Sequence, residues 1–69
     1  MTTLGTNIKL LRKANSISQQ ELADKIHTTQ QRVSERECDK VEPSLHTILK
    51  LLKIFNVSFK ELTENVEEN

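Results

Sequence analysis

Two consecutive glutamines, Gln30 and Gln31, stand in the run TTQQRVSER from Thr28 to Arg36, where Val33 is the one apolar side chain. A carboxamide carries one acceptor oxygen and two N–H donors in a plane. That edge matches N6 and N7 of adenine in the major groove of duplex DNA, a bidentate contact contributing about 1–3 kcal/mol of discrimination between bases. Two neighbouring carboxamides could read adjacent base pairs, provided something rigid holds them. A helix pinned through Val33 would do so, with Thr28 or Thr29 as its cap and, with Thr29, both glutamines in its first turn. One turn further on, Ser34 and Glu35 lie over the same outward face, while Val33 and Glu37 turn inward. Glu35 could accept from cytosine N4, or exclude wrong sequences by repulsion. Arg32 and Arg36 flank the face and suit phosphate oxygens. An ordinary solvated helix face would carry the same residue types, so the surrounding elements must decide between the two.

The chain has 69 residues, enough for one domain and too few for two. Gly and Pro occur once each, Trp and Tyr are absent, and no Asn-Gly or Asp-Gly pair marks a hairpin. Leu, Lys, Glu and Gln dominate, so an all-helical domain is expected. Net charge is zero, but it is unevenly distributed. All ten Lys and Arg lie at or before Lys60, against six acids there, a net of +4. Glu61, Glu64, Glu67 and Glu68 supply the balance. We assign a single domain to residues 1–66 and an acidic C-terminal tail to 67–69. Cys38 is the single cysteine and has no partner for an internal disulfide, which fits a reducing compartment. No charged-then-apolar leader opens the chain and no apolar run reaches membrane-spanning length. A soluble cytoplasmic protein is therefore expected.

Helix boundaries are marked by caps. Ser18-Gln19-Gln20-Glu21 and Ser58-Phe59-Lys60-Glu61 are both capping boxes. Ile17 with Leu22, and Val57 with Leu62, are spaced as their hydrophobic staples. Pro43-Ser44 ends one segment and caps the next. After it Leu45, Ile48, Leu49, Leu52 and Phe55 recur at three- and four-residue spacing, as do Leu4, Ile8, Leu11 and Ala14 near the start. Five helices are predicted, at about 4–15, 19–26, 30–37, 45–55 and 59–65. The second and third are short and joined by a three-residue turn, the layout of a helix-turn-helix. Phe59 and Leu62 are expected to close the core. Val66, with part of the C-terminal surface, is a candidate dimer contact.

The stretch from Ile8 to Leu62, through the segments LRKANSISQQELADKI, TTQQRVSERE and PSLHTILKLLKIFNVSFKEL, resembles the lambda-repressor-like domain of the Cro and xenobiotic-response-element regulator family. The resemblance implies a compact all-α fold of five helices, with helices 2 and 3 as the helix-turn-helix. It implies sequence-specific binding of double-stranded DNA, usually by a homodimer on a two-fold operator. It also implies that Gln19 contacts a phosphate and braces Gln30, and that Arg12 pairs with Glu37 to fix helix 3 on helix 1. Helix 3 would then enter the major groove by its N-terminal end. Gln30, Gln31, Ser34 and Glu35 are the base-reading candidates. Gln19, Thr29, Arg32, Arg36, Lys40 and Ser44 are the phosphate-binding candidates, the last two beside the free amides that open helix 4. The chain departs from the family where glycine is usual, at Ser16, His27, Asp39 and Asn56, and where a large apolar residue is usual, at Arg36. Asn and Asp tolerate the positive φ such turns need; His does so less readily, and Ser is the poorest fit.

Nothing points to catalysis. His27, Cys38 and His46 match no metal-ligand spacing, and no phosphate-cradling glycine loop occurs. No cofactor, metal, small-molecule substrate or membrane partner is expected. A transcriptional regulator, a repressor of phage or controller type, is the leading reading. Its rivals are an antitoxin that binds a toxin, and a protein-interaction module that uses the same fold without DNA.

Overall fold

The computed structural model describes residues 2–67, so Glu68 and the end of the expected acidic tail lie outside the described residues. Five helices follow in order: α1 (Leu4–Ala14), α2 (Gln19–Lys25), α3 (Gln30–Glu37), α4 (Leu45–Phe55) and α5 (Phe59–Leu62). Every helix is opened by a Ser or Thr hydroxyl that accepts a first-turn amide: Thr3, Ser18, Thr29, Ser44 and Ser58. Both capping boxes close, with the Ser18 amide donating to Glu21 Oε1 at 3.0 Å and the Ser58 amide to Glu61 Oε1 at 3.1 Å.

The helix exits use one device repeatedly. Ser16, His27, Asp39 and Asn56 all adopt left-handed backbone, with φ between 54° and 61°. The amide of the next residue then reaches back to a carbonyl five positions earlier. Ile17 bonds Arg12 at 3.1 Å, Thr28 bonds Ala23 at 2.9 Å, Lys40 bonds Glu35 at 2.9 Å and Val57 bonds Leu52 at 3.1 Å. This is the Schellman arrangement, built without glycine. The turn of the helix-turn-helix therefore keeps the dihedrals that glycine favours, with His27 in its place.

α5 is shorter than the expected 59–65. Asn65 is also left-handed, at φ 62°. The Asn7 side-chain amide donates to the carbonyls of Leu62 at 2.8 Å and Glu64 at 3.0 Å, which diverts the chain out of helical geometry. Thr2 and Val66 then meet in an isolated parallel bridge that ties the two ends of the domain together.

The core comprises Ile8, Leu22, Ala23, Ile26, Val33, Leu51, Phe55 and Leu62. Two expectations about it need correction. In α4, Leu45 and Leu49 face solvent, 68% and 50% exposed, and Leu51 is buried in their stead. The helix is apolar almost all round, so spacing alone admits more than one inward face. Phe59 does not close the core either; it stands 54% exposed at the first position of α5, while Leu62 alone plugs the interior.

Gly5 lets the start of α1 run against the end of α3. A Cβ there would stand 2.4 Å from the Arg36 carbonyl oxygen and 2.8 Å from that of Glu37. Asp39 clamps this crossing, its carboxylate accepting from the Gly5 amide at 2.9 Å and from the Thr3 hydroxyl.

Candidate nucleic-acid interface

α3 is held from beneath at two points. Val33 is buried in the core with Leu22 and Ala23 of α2 and with Ile26, which caps its end. Glu37, also buried, takes a two-point contact from Arg12 of α1: Nε to Oε2 at 2.6 Å and Nη2 to Oε1 at 3.2 Å. The remaining Arg12 nitrogen, Nη1, donates to the Ile17 carbonyl at 2.8 Å. The fork–fork geometry and the third bond satisfy a charge pair that burial would otherwise penalise. The expected Arg12–Glu37 pair is thus present, and it locks the end of α3 onto α1.

With α3 fixed, its other end stands free. Thr29 caps the helix through the Arg32 amide at 3.2 Å, and Gln30, Gln31 and Arg32 are all exposed in the first turn. Ser34 and Glu35, one turn on, are half-buried and less available than the two glutamines. Gln19, at the first position of α2, is half-buried beside them. Its Nε2 donates to Glu37 Oε1 at 3.0 Å, and its Oε1 faces the Nε2 of Gln30 at 3.5 Å, the long end of the hydrogen-bond range. A polar chain therefore runs from the buried ion pair through Gln19 to Gln30.

The flanking candidates differ among themselves. Arg32 and Lys40 are exposed. Arg36 is half-buried, and its Nε and Nη1 are sealed from solvent without a hydrogen-bond partner among the described residues, which leaves Nη2 as its outward donor. Ser44 is exposed, but its hydroxyl is committed to capping α4: it accepts from the Thr47 amide at 3.2 Å and donates to Thr47 Oγ1 at 3.1 Å. An anion at that helix start would meet backbone amides. The Glu21 carboxyl in the α2 capping box is held below its ordinary value of 4.5, first by its bond from the Ser18 backbone and then by the Ser18 side chain.

Among the described residues no cluster of His, Cys, Asp or Glu could hold a metal ion, and His27, Cys38 and His46 are each exposed. Among the described residues no helix is long and apolar enough to cross a membrane. Three features escaped the sequence reading: the Gln19–Glu37 bond, the Asp39 clamp on Gly5, and the exposure of Leu45 and Leu49. The lone glycine near a helix start is a sequence signal for the second; the other two are set by long-range packing.

A helix-turn-helix family model matches residues 8–62. The chain belongs to the Cro/C1-type helix-turn-helix family. Regulators of this family bind DNA, and its lambda-repressor-like fold is the five-helix arrangement described above. Among solved structures, this helix-turn-helix protein is similar to the P22 c2 repressor in complex with a synthetic operator, at 26% identity and a TM-score of 0.82 over 90% of this chain and 94% of that one. Comparison with curated protein sequences gives no match.

Proposed function

We propose that the protein is a sequence-specific transcriptional repressor that enters the major groove with α3 and acts, without enzymatic activity, in the cytoplasm. One observation carries this reading: Gln30 and Gln31 are exposed in the first turn of a helix anchored by Val33 and by the Arg12–Glu37 pair. A structural relative is a repressor in complex with operator DNA, which supports the DNA-binding part of this reading. Gln30, Gln31, Ser34 and Glu35 face the bases in this reading. Gln19, Thr29, Arg32, Arg36, Lys40 and Ser44 meet the phosphates on either side, Arg36 through Nη2 and Ser44 through the neighbouring amides.

A homodimer on a two-fold operator completes it. The domain measures 30 × 24 × 21 Å. Half-sites one helical turn apart lie about 34–36 Å centre to centre, a little more than the long axis, so two copies laid end to end on one face of the duplex would come within side-chain reach. Leu45, Leu49 and Phe59 offer uncovered apolar surface for such a contact.

Selection of bound sequences from random duplexes, followed by salt titration on the winner, tests the assignment. Binding should weaken linearly in log salt, with a slope near −0.9 per phosphate neutralised. Arg32→Ala should shallow that slope, while Gln31→Ala should relax base preference and leave the slope alone. Recovery of no preferred sequence would refute the reading. Light scattering that gives a monomer both free and on the selected duplex would refute the dimer.

A further inference from the structure

We propose that two copies of this chain associate head to tail: Leu10 of one molecule, flanked by Lys9 and Lys13, seats in an apolar, acid-lined groove of the next, between the start of α1 and the loop joining α3 to α4.

The groove encloses about 450 Å3. Leu4, Val41, Pro43 and Val66 give it apolar walls, and Val41 is left 44% exposed. Asp39, Glu42 and Glu67, all exposed, bring three carboxylates to the same opening. Among the described residues no basic side chain lines the groove, and none of the three acids forms an ion pair. A concavity of this size with apolar walls accepts an apolar side chain, and its carboxylates call for cations beside that side chain.

α1 carries the complement. Leu10 is 58% exposed in mid-helix, turned away from the face on which Ile8 and Arg12 are buried. Lys9 precedes it and Lys13 lies one turn on, both exposed and, among the described residues, without an ion-pair partner. The helix therefore presents one aliphatic side chain between two ammonium groups, whose carbon stems extend the apolar area. A molecule cannot fill its own groove in this way. Leu4, in the groove wall, and Leu10 belong to one helix, about 9 Å apart along its axis and about 120° apart around it. The occupant is thus a second copy, and the contact is heterologous, since the docked copy keeps its own groove free. It is separate from the two-fold contact proposed above, whose Leu45, Leu49 and Phe59 lie on α4 and α5. One leucine with two lysines covers far less than the roughly 1,600 Å2 of a standard interface, so the association is weak.

The test is made in a Leu45→Gln/Leu49→Gln background, which takes the two-fold contact out of play. Sedimentation equilibrium at up to about 1 mM protein, the range of a weak contact, should show reversible growth beyond the monomer. Leu10→Gln, which removes the knob, should weaken that association about tenfold. Glu42→Lys/Glu67→Lys, which turns the groove basic, should weaken it at least about fivefold. Mixing these two variants should restore association as a closed pair that grows no further, because one retains the groove and the other the knob. Isotope-labelled samples of the mixture should show amide shifts at Lys9, Leu10 and Lys13 on the knob partner and at Val41, Glu42 and Val66 on the groove partner. Circular dichroism checks that each variant is folded; where Leu10→Gln is not, Lys9→Gln/Lys13→Gln takes its place. A monomer at every concentration overturns the proposal. So does association that survives either variant at full strength, a mixture that stays apart, or shifts confined to other surfaces.

Discussion

Glu35 and Glu37 are two carboxylates on one helix with opposite expected consequences. Glu37→Ala removes the partner of a buried arginine. Arg12 is 7% exposed and Glu37 6%, and three Arg12 nitrogens are ordered around that carboxylate and the Ile17 carbonyl. Loss of one member strands the other, at about 3–5 kcal/mol. A chain of this length has a total stability of roughly 3–10 kcal/mol, so the loss takes much or all of it. At about 4–8 °C per kcal/mol for so small a domain, the melting temperature should fall by roughly 12–40 °C. Glu35 is half-buried and has no side-chain hydrogen bond among the described residues, so Glu35→Ala should change stability by no more than about 0.5 kcal/mol. Circular dichroism at 222 nm, in thermal and urea melts of both variants, measures the difference. Equal melting temperatures would refute the assignment of Glu37 to the fold. The Arg12→Met/Glu37→Leu exchange sharpens the case: with both charges gone it should recover most of the loss, whereas a double variant as unstable as Glu37→Ala would mean that the pair is not what the single substitution damages.

Gly5→Ala should destabilise the domain by about 1–3 kcal/mol, because the new methyl would stand within 3 Å of two carbonyl oxygens; this outweighs the gain of roughly 1 kcal/mol in helix propensity, and a urea melt that shows stabilisation would contradict the close crossing. Arg36→Met should raise stability by about 1–3 kcal/mol, since it removes two enclosed guanidinium nitrogens that have no partner among the described residues, and calorimetry would reveal a lower melting temperature if those nitrogens were in fact satisfied. The Glu21 carboxyl titrates below 4.5, so its cap on α2 is fully effective above that pH and is lost as pH falls through the lowered value; NMR titration should follow this, and Ser18→Ala should bring the midpoint back toward 4.5.

What the sequence determined by itself was local. A Ser or Thr hydroxyl that caps its own helix needs only the amide three residues on, so the starts of α2 to α5 could be read from short strings, while that of α1 came from its apolar stripe. The spacing of α2 and α3, and the outward placement of Gln30 and Gln31 against an inward Val33, followed from the same short-range periodicity. What the tertiary structure decided was which of several allowed faces is covered. α4 carries leucines or isoleucines on most of its circumference, and only packing against the other helices buried Leu51 and left Leu45 and Leu49 in solvent. The end of α5 was fixed by Asn7, more than fifty residues away in sequence. The bond from Gln19 to Glu37 joins two helices across a turn, where neither residue's own neighbours specify it. Caps and periodicity act within one turn of chain, whereas facing, truncation and bracing depend on groups that meet only once the chain has folded.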